Sequence, residues 1–251
     1  MNTPIYLDYA ATSPVDPRVA EAMMGCLTRD GIFANPASRS HIYGWQAEEQ
    51  VELARRKVAD LFSCDPREIV WTSGATESNN LALKGVFGKA EYDGGLVTSV
   101  TEHKAVIDPA KWLAEQGVRV SWLKPDSSGV ISVDKVSEAI DEGSRLVSIM
   151  MVNNETGVIQ PVEQVWQLAR KYHAVSHCDA VQMAGKIAIN FKENGMHDII
   201  KEFLFIPPKY NTTIINNKKK TPFLWLLLYL KWDLIFFIYV LFNYSLRPIA
   251  L

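Results

Sequence analysis

Four short polar stretches carry side chains that could do chemistry, and each follows an apolar run. Ser73-Gly74-Ala75-Thr76-Glu77-Ser78 comes after Ile69–Thr72. A glycine turn followed by small hydroxyl residues at a helix start suits an anion, because free backbone N–H groups and the positive helix end converge there. The plain alternative is a helix capped by Thr76 with nothing bound. Thr101-Glu102-His103-Lys104 follows Leu96–Val100 and offers an imidazole, which alone reads equally as a structural histidine. Asn153-Asn154-Glu155-Thr156-Gly157 follows Leu146–Val152. It offers an amide, or simply a polar turn closed by Gly157. Cys178-Asp179-Ala180-Val181-Gln182 follows Ala174–His177 and offers a carboxylate, or a cap for the next helix. No single stretch specifies a function. At successive strand ends, however, they would gather an anion site, an imidazole, an amide and a carboxylate into one pocket.

Those positions depend on the elements around them. Ile5–Leu7, Ile69–Thr72, Leu96–Val100, Val118–Leu123, Leu146–Val152 and Ala174–His177 read as strands. Helical spacing covers Pro17–Leu27, Gln46–Phe62, Glu77–Val86, Asp108–Gln116, Val133–Ile140 and Val162–Tyr172. In Gln46–Phe62, the residues Val51, Ala54, Val58 and Leu61 line one face, and Glu52 precedes Arg55 and Arg56 on the other. Alternating strand and helix predicts an α/β fold, a mostly parallel sheet covered by helices on both faces. Ligands in such sheets sit beyond the carboxyl ends of the strands.

Bulk properties narrow the class. A chain of 251 residues, 48% hydrophobic, is long enough for one large domain or a domain with an appendage. A net charge of −2 with no basic face gives no case for nucleic acid. Cys26, Cys64 and Cys178 are odd in number and fit no CxxC pattern, which argues against disulfides and zinc and for a reducing compartment. The N-terminus shows no basic and apolar leader, so cytoplasm is the expected location.

The character of the chain changes near residue 200. All 14 glycines lie at or before Gly195, and from Lys201 onward Ile, Leu, Phe, Tyr, Asn and Lys dominate. Residues 1–198 and 199–251 are therefore expected to be separate objects, the second an apolar tail. Phe223–Phe242, preceded by Lys218-Lys219-Lys220, has the length and flanks of a membrane span. Lys231 and Asp233 sit in its middle, at roughly 2.5–3.5 kcal/mol each for insertion. Three readings stand, in this order: translation past a frame disruption, a membrane anchor through 223–242, and a native soluble extension.

Six ordered segments carry a family resemblance: Tyr6–Thr12, Asn35–His41, Thr72–Ser78, Thr101–Val106, Val152–Gly157 and Asp179–Gln182. Together they resemble a cysteine desulfurase of the iron–sulfur cluster assembly type, within the class V aminotransferase-like group. The resemblance implies the large domain of a fold-type-I protein dependent on pyridoxal 5'-phosphate, here incomplete and followed by a non-homologous tail. It implies that Ala75 and Thr76 hold the cofactor phosphate. His103 would be catalytic, stacking on the pyridine ring and moving protons. Asp179 would pair with the ring nitrogen, keeping the ring an electron sink. Gln182 would reach the ring oxygen, with Asn154 beside it. L-cysteine is the implied substrate, a homodimer the implied assembly, and a scaffold protein the implied sulfur acceptor.

The pattern breaks after Gly195–Ile200. The family continues with a Ser-Phe-Ser-Gly-His-Lys type motif whose lysine binds the cofactor covalently. Here Lys201-Glu202-Phe203-Leu204-Phe205-Ile206-Pro207-Pro208-Lys209 stands instead, and the six motif positions after Ile200 are 201–206, which puts Ile206 at the lysine position. Neither Lys201 nor Lys209 has a Gly-His before it. The small C-terminal domain and the loop bearing the nucleophilic cysteine also find no counterpart. The chain alone is thus expected to be inactive; the alternatives are a non-catalytic cofactor- or partner-binding fragment and a membrane-anchored derivative.

Overall fold

A computed structural model describes residues 4–88, 94–184 and 186, together with the backbone of 213–214. Helix α1 spans Pro17–Met24, and α2 spans Ile42–Phe62. A single 3-10 turn at Pro66–Glu68 leads into strand β1 (Ile69–Val70) and helix α3 (Ala75–Phe87). Then come β2 (Gly95–Ser99), α4 (Lys104–Glu115), β3 (Arg119–Leu123), α5 (Val133–Ala139), β4 (Ser144–Ser148), α6 (Val162–Lys171) and β5 (Val175–His177). A two-residue strand β6, Thr213–Ile214, pairs antiparallel with β1.

Local sequence explains several boundaries. Asp16 caps α1 by accepting the Arg18 N–H at 2.9 Å, with Pro17 at the first helical position. Ser132 does the same for α5 through the Lys135 N–H. At its far end α2 stops in a left-handed Ser63, φ 54°. Glu52 bonds Arg55 across one turn of α2 at 3.0 Å, as the spacing predicts.

The main sheet has four strands in the order β3-β2-β4-β5, all parallel. Successive side chains on a strand point to opposite faces, and two separate cores result. Leu96 of β2 and Leu146 of β4 pack with Leu83 and Phe87 of α3 and Val106, Ala110 and Leu113 of α4. Val97 and Val147, one residue along, pack on the other side with Val136 of α5 and Val165, Trp166 and Ala169 of α6. Val58, Ala59 and Phe62 of α2 join that second core. Helices therefore cover both faces, and every residue of β2 is buried.

Two expectations differ from what forms. Ile5–Leu7 is no strand: Ile5 and Leu7 are each 85% exposed, and no backbone among the described residues pairs with them. An apolar triplet without a partner strand has nothing to complete its hydrogen bonds. Strand β4 ends at Ser148 rather than Val152, yet the chain beyond it still bonds its neighbour, Ile149 N–H to His177 O at 3.3 Å and Met151 N–H to Asp179 O at 3.1 Å. The readings made for 187–198 and for the tail, including the span 223–242, lie outside the described side chains. No helix among the described residues is long and apolar enough to cross a membrane.

Leu146 is fully buried. Leu146→Ala should cost about 2–5 kcal/mol of unfolding free energy, read from the urea midpoint. Leu81→Ala, at a 45% exposed position of α3, should stay within about 0.5 kcal/mol of the parent.

Candidate functional site

Strands β2, β4 and β5 run in one direction, so the residues after them share one edge of the sheet. Register aligns Thr98 with Ser148, and Ser148 with His177. The polar stretches 101–104, 149–157 and 178–182 therefore leave the sheet side by side.

Helix α3 begins beside them. Its cap is Gly74, not Thr76, and no side chain satisfies its first-turn amides. Thr76 is exposed and Ala75 half-buried, so these N–H groups are available to an anion. Neighbouring side chains stiffen the approach: Thr72 Oγ1 lies 2.6 Å from the buried Ser78 Oγ, and the Ser73 N–H donates to Glu77 at 2.7 Å.

His103 caps α4, its Nδ1 accepting the Ala105 N–H at 3.1 Å. That bond leaves Nε2 to carry the ring proton in the neutral imidazole. Thr76 and His103 line a cleft of about 290 Å³ between α3 and α4, together with Asn80 and Lys84.

Asp179 stands apart from that cleft but is tied to the same helix. Asn79, one turn after Thr76, donates from Nδ2 to Asp179 Oδ2 at 2.9 Å. The Val181 N–H donates to the other oxygen at 3.1 Å. Asn79 Oδ1 meets His177 Nε2 at 3.1 Å, and His177 Nδ1 meets Ser148 Oγ at 2.8 Å. Burial pushes the His177 imidazole down to a pKa of about 4, so it is neutral at neutral pH.

A second buried acid lies close. Glu102 accepts the Met150 N–H at 2.9 Å through Oε1, while Oε2 has no hydrogen-bond partner among the described residues. Desolvation raises its carboxyl well above the usual carboxylate range; the Met150 N–H opposes this and Asp179 adds to it. The Cys178 thiol is likewise pushed up by burial, then by Glu102 and Asp179. It is an inert buried group.

Gln182 is half-buried and donates to Ala10 O at 3.2 Å, which ties the site to the N-terminal segment. Asn154 bonds its neighbour Glu155 at 2.9 Å and does not line the cleft. The adjacent Asn153 organises that turn. Its Oδ1 accepts the Glu155 and Thr156 N–H groups at 3.1 and 2.9 Å, its Nδ2 donates to Thr101 O at 2.8 Å, and Gly157 follows at φ 72°. Thr76 and His103 thus come together in one cleft, and Asp179 joins α3 through Asn79. Asn154 and Gln182 make only local or N-terminal contacts. Asn79, His177 and Glu102 were not singled out from the sequence. A detectable signal existed for His177, which precedes Asp179 by two along an extended chain and so shares its side.

The arrangement fits a ligand bearing both a phosphate and a protonated ring nitrogen. Outward amides at α3 suit the first, and a buried carboxylate with donors on both oxygens suits the second.

The chain is similar to several known proteins. The family described as aminotransferase class-V matches residues 5–200. The cysteine desulfurase IscS of Shewanella halifaxensis is 58% identical over 191 residues, 76% of this chain and 47% of that protein. The IscS of Shewanella piezotolerans is 56% identical over 194 residues, 77% of this chain and 48% of that protein. The chain thus spans about half the length of the curated relatives it matches. Among solved structures, SspA in complex with cysteine is similar at a TM-score of 0.72 and 41% identity, covering 76% of this chain and 55% of that one. A NifS-like protein from Rickettsia africae gives a TM-score of 0.77 at 28% identity, covering 94% of this chain and 67% of that one.

The buried acid and imidazole have opposite pH signatures. His177 has its pKa lowered from 6.5 to about 4 in the fold. The unfolded chain therefore binds the extra proton between those values, and stability falls as pH drops through that window, by about 3 kcal/mol at most. Glu102 has a raised folded pKa, so its contribution is present below the unfolded carboxyl value and lost as pH rises. Glu102→Gln should accordingly gain stability relative to the parent at pH 8 and lose that advantage near pH 4. Urea midpoints across that range test both; in Glu102→Gln, where the opposing carboxyl is gone, a midpoint unchanged between pH 6.5 and 4.5 would contradict the buried neutral imidazole.

Proposed function

The chain belongs to the aminotransferase class-V family, and on that premise we propose that it carries the cofactor-holding part of a cysteine desulfurase large domain. Proteins of this family depend on pyridoxal 5'-phosphate. The observation carrying the proposal is the hydrogen bond from Asn79 to Asp179. It holds a buried carboxylate at a fixed position relative to the open amides of α3, as a phosphorylated pyridine requires.

In this reading the Ala75 and Thr76 amides and the Thr76 hydroxyl hold the phosphate. His103, fixed by its cap to α4, lies against the ring and holds or moves a proton at Nε2. Asp179 pairs with the ring nitrogen, Gln182 turns to the ring oxygen, and Asn154 stands beside the substrate. Bound there, the cofactor supplies an electron sink for bond changes at the substrate α-carbon. L-cysteine is the substrate class, supported by the similarity to a protein solved with cysteine. A scaffold protein as sulfur acceptor, a homodimer and a cytoplasmic location complete the reading, the last in keeping with the free thiols Cys26, Cys64 and Cys178.

The division at 1–198 and 199–251 is part of the same proposal, because Ile206 occupies the position where the family pattern has its cofactor lysine. An isoleucine has no side-chain amine. Cys26 and Cys178 are buried, with their thiols raised by burial, so neither supplies a reactive thiolate. The chain by itself binds the cofactor reversibly and does not turn over cysteine.

The full chain should bind pyridoxal phosphate in a form that gel filtration removes, with Asp179→Asn weakening binding about tenfold or more. Borohydride should leave no stoichiometric pyridoxyl adduct, and added L-cysteine should release no alanine above the free cofactor. Absence of binding overturns the cofactor assignment. A stoichiometric adduct at Lys201 or Lys209, with alanine release, overturns the statement that the chain does not turn over.

A further inference from the structure

We propose that Ser148, His177 and Asn79 form a one-way hydrogen-bond relay that fixes Asp179 in orientation and as an anion, making Asn79 and His177 positioning residues for the ring nitrogen opposite Asp179. The inference rests on the reading above that Asp179 faces that nitrogen.

Donor and acceptor inventory sets the direction. A carboxylate only accepts, so the 2.9 Å contact with Asp179 Oδ2 uses the Asn79 NH₂. That places the Asn79 carbonyl toward His177, and its oxygen also only accepts. His177 Nε2, 3.1 Å away, must therefore carry the proton. The imidazole is neutral, so Nδ1 bears a lone pair and accepts from the Ser148 hydroxyl at 2.8 Å. Every donor in the series points toward Asp179. Reversing any one bond would set two lone pairs or two protons against each other.

Burial makes this order consequential. Ser148, His177, Asn79 and Asp179 are 0%, 2%, 2% and 6% exposed. Without water to exchange partners, the bonds polarise one another and hold one arrangement. The competing acid is Glu102, whose Oε2 has no partner and whose other oxygen has a single donor. Asp179 has donors on both oxygens. Donors on both oxygens suit Asp179 to the carboxylate form, while burial raises the Glu102 carboxyl well above the usual carboxylate range.

Nitrogen NMR on the labelled full chain, without cofactor, should show His177 protonated at Nε2 only, from pH 7 down to pH 5. Asn79→Leu should raise the Asp179 carboxyl titration midpoint by about one pH unit or more, and shift the ring nitrogen of labelled pyridoxal phosphate toward its unprotonated signal. His177→Gln alone, which keeps an N–H donor toward Asn79, should leave both close to the parent. An Nδ1–H tautomer at His177, or an Asp179 midpoint unchanged in Asn79→Leu, overturns the relay. Should Asn79→Leu fail to fold, the tautomer in the parent chain decides alone. If the relay signals appear while the parent binds no pyridoxal phosphate, the relay stands and the cofactor reading fails.

Discussion

The hydrogen bond between Asn79 and Asp179 spans 100 residues of sequence and joins two structures that no local interaction could align. One is the start of α3, where backbone amides face outward; the other is the chain just past β5. A buried hydrogen bond to a charged group is worth about 1.5–3 kcal/mol. Its geometric effect exceeds that energy. Both ends are held rigidly, α3 by Leu83 and Phe87 against Leu96 and Leu146, and β5 by its pairing with β4. Anion site and carboxylate consequently cannot drift apart without breaking the sheet's upper core.

Charge placement follows from the same packing. Exposed pairs such as Arg18–Asp16, Arg67–Asp65 and Arg119–Asp141 lie at the margins, where solvent screening leaves them little influence. The groups that matter are few and dry. Glu102, His177 and Asp179 share one small volume, and burial drives the first two to their neutral forms. Only Asp179 receives donors on both oxygens.

Much of this was legible from residue order. Apolar periodicity gave the alternation of strands and helices because the central strand β2 is buried throughout and β4 nearly so, and the polar punctuation after the strands marked the site edge. Element ends were less legible. Thr76 looked like a cap, yet Gly74 takes that place, because the helix starts two residues earlier than its apolar spacing suggests. Asn153 and Asn154 are indistinguishable as letters; the turn geometry makes the first the organiser. Ile5–Leu7 shows the opposite failure, an apolar triplet whose strand character needs a partner the described fold does not provide. Asn79 was invisible for a simpler reason. Its importance lies in what it touches a hundred residues away, and no local pattern encodes that.

Holding a cofactor and attaching it covalently use different parts of such a chain. The cradle we propose uses backbone amides at α3, capped His103 and the Asp179 cluster, all of it upstream of residue 185 and supported by two packed cores. Attachment needs one amine on one side chain, and the family pattern places it where this sequence has Ile206. Packing cannot supply an amine, and the loss of an amine does not unmake packing. The free energy of holding phosphate and ring nitrogen derives from dipoles and hydrogen bonds that are fixed before any ligand arrives. In the proposed reading, binding and turnover are therefore separable, because they rest on different residues.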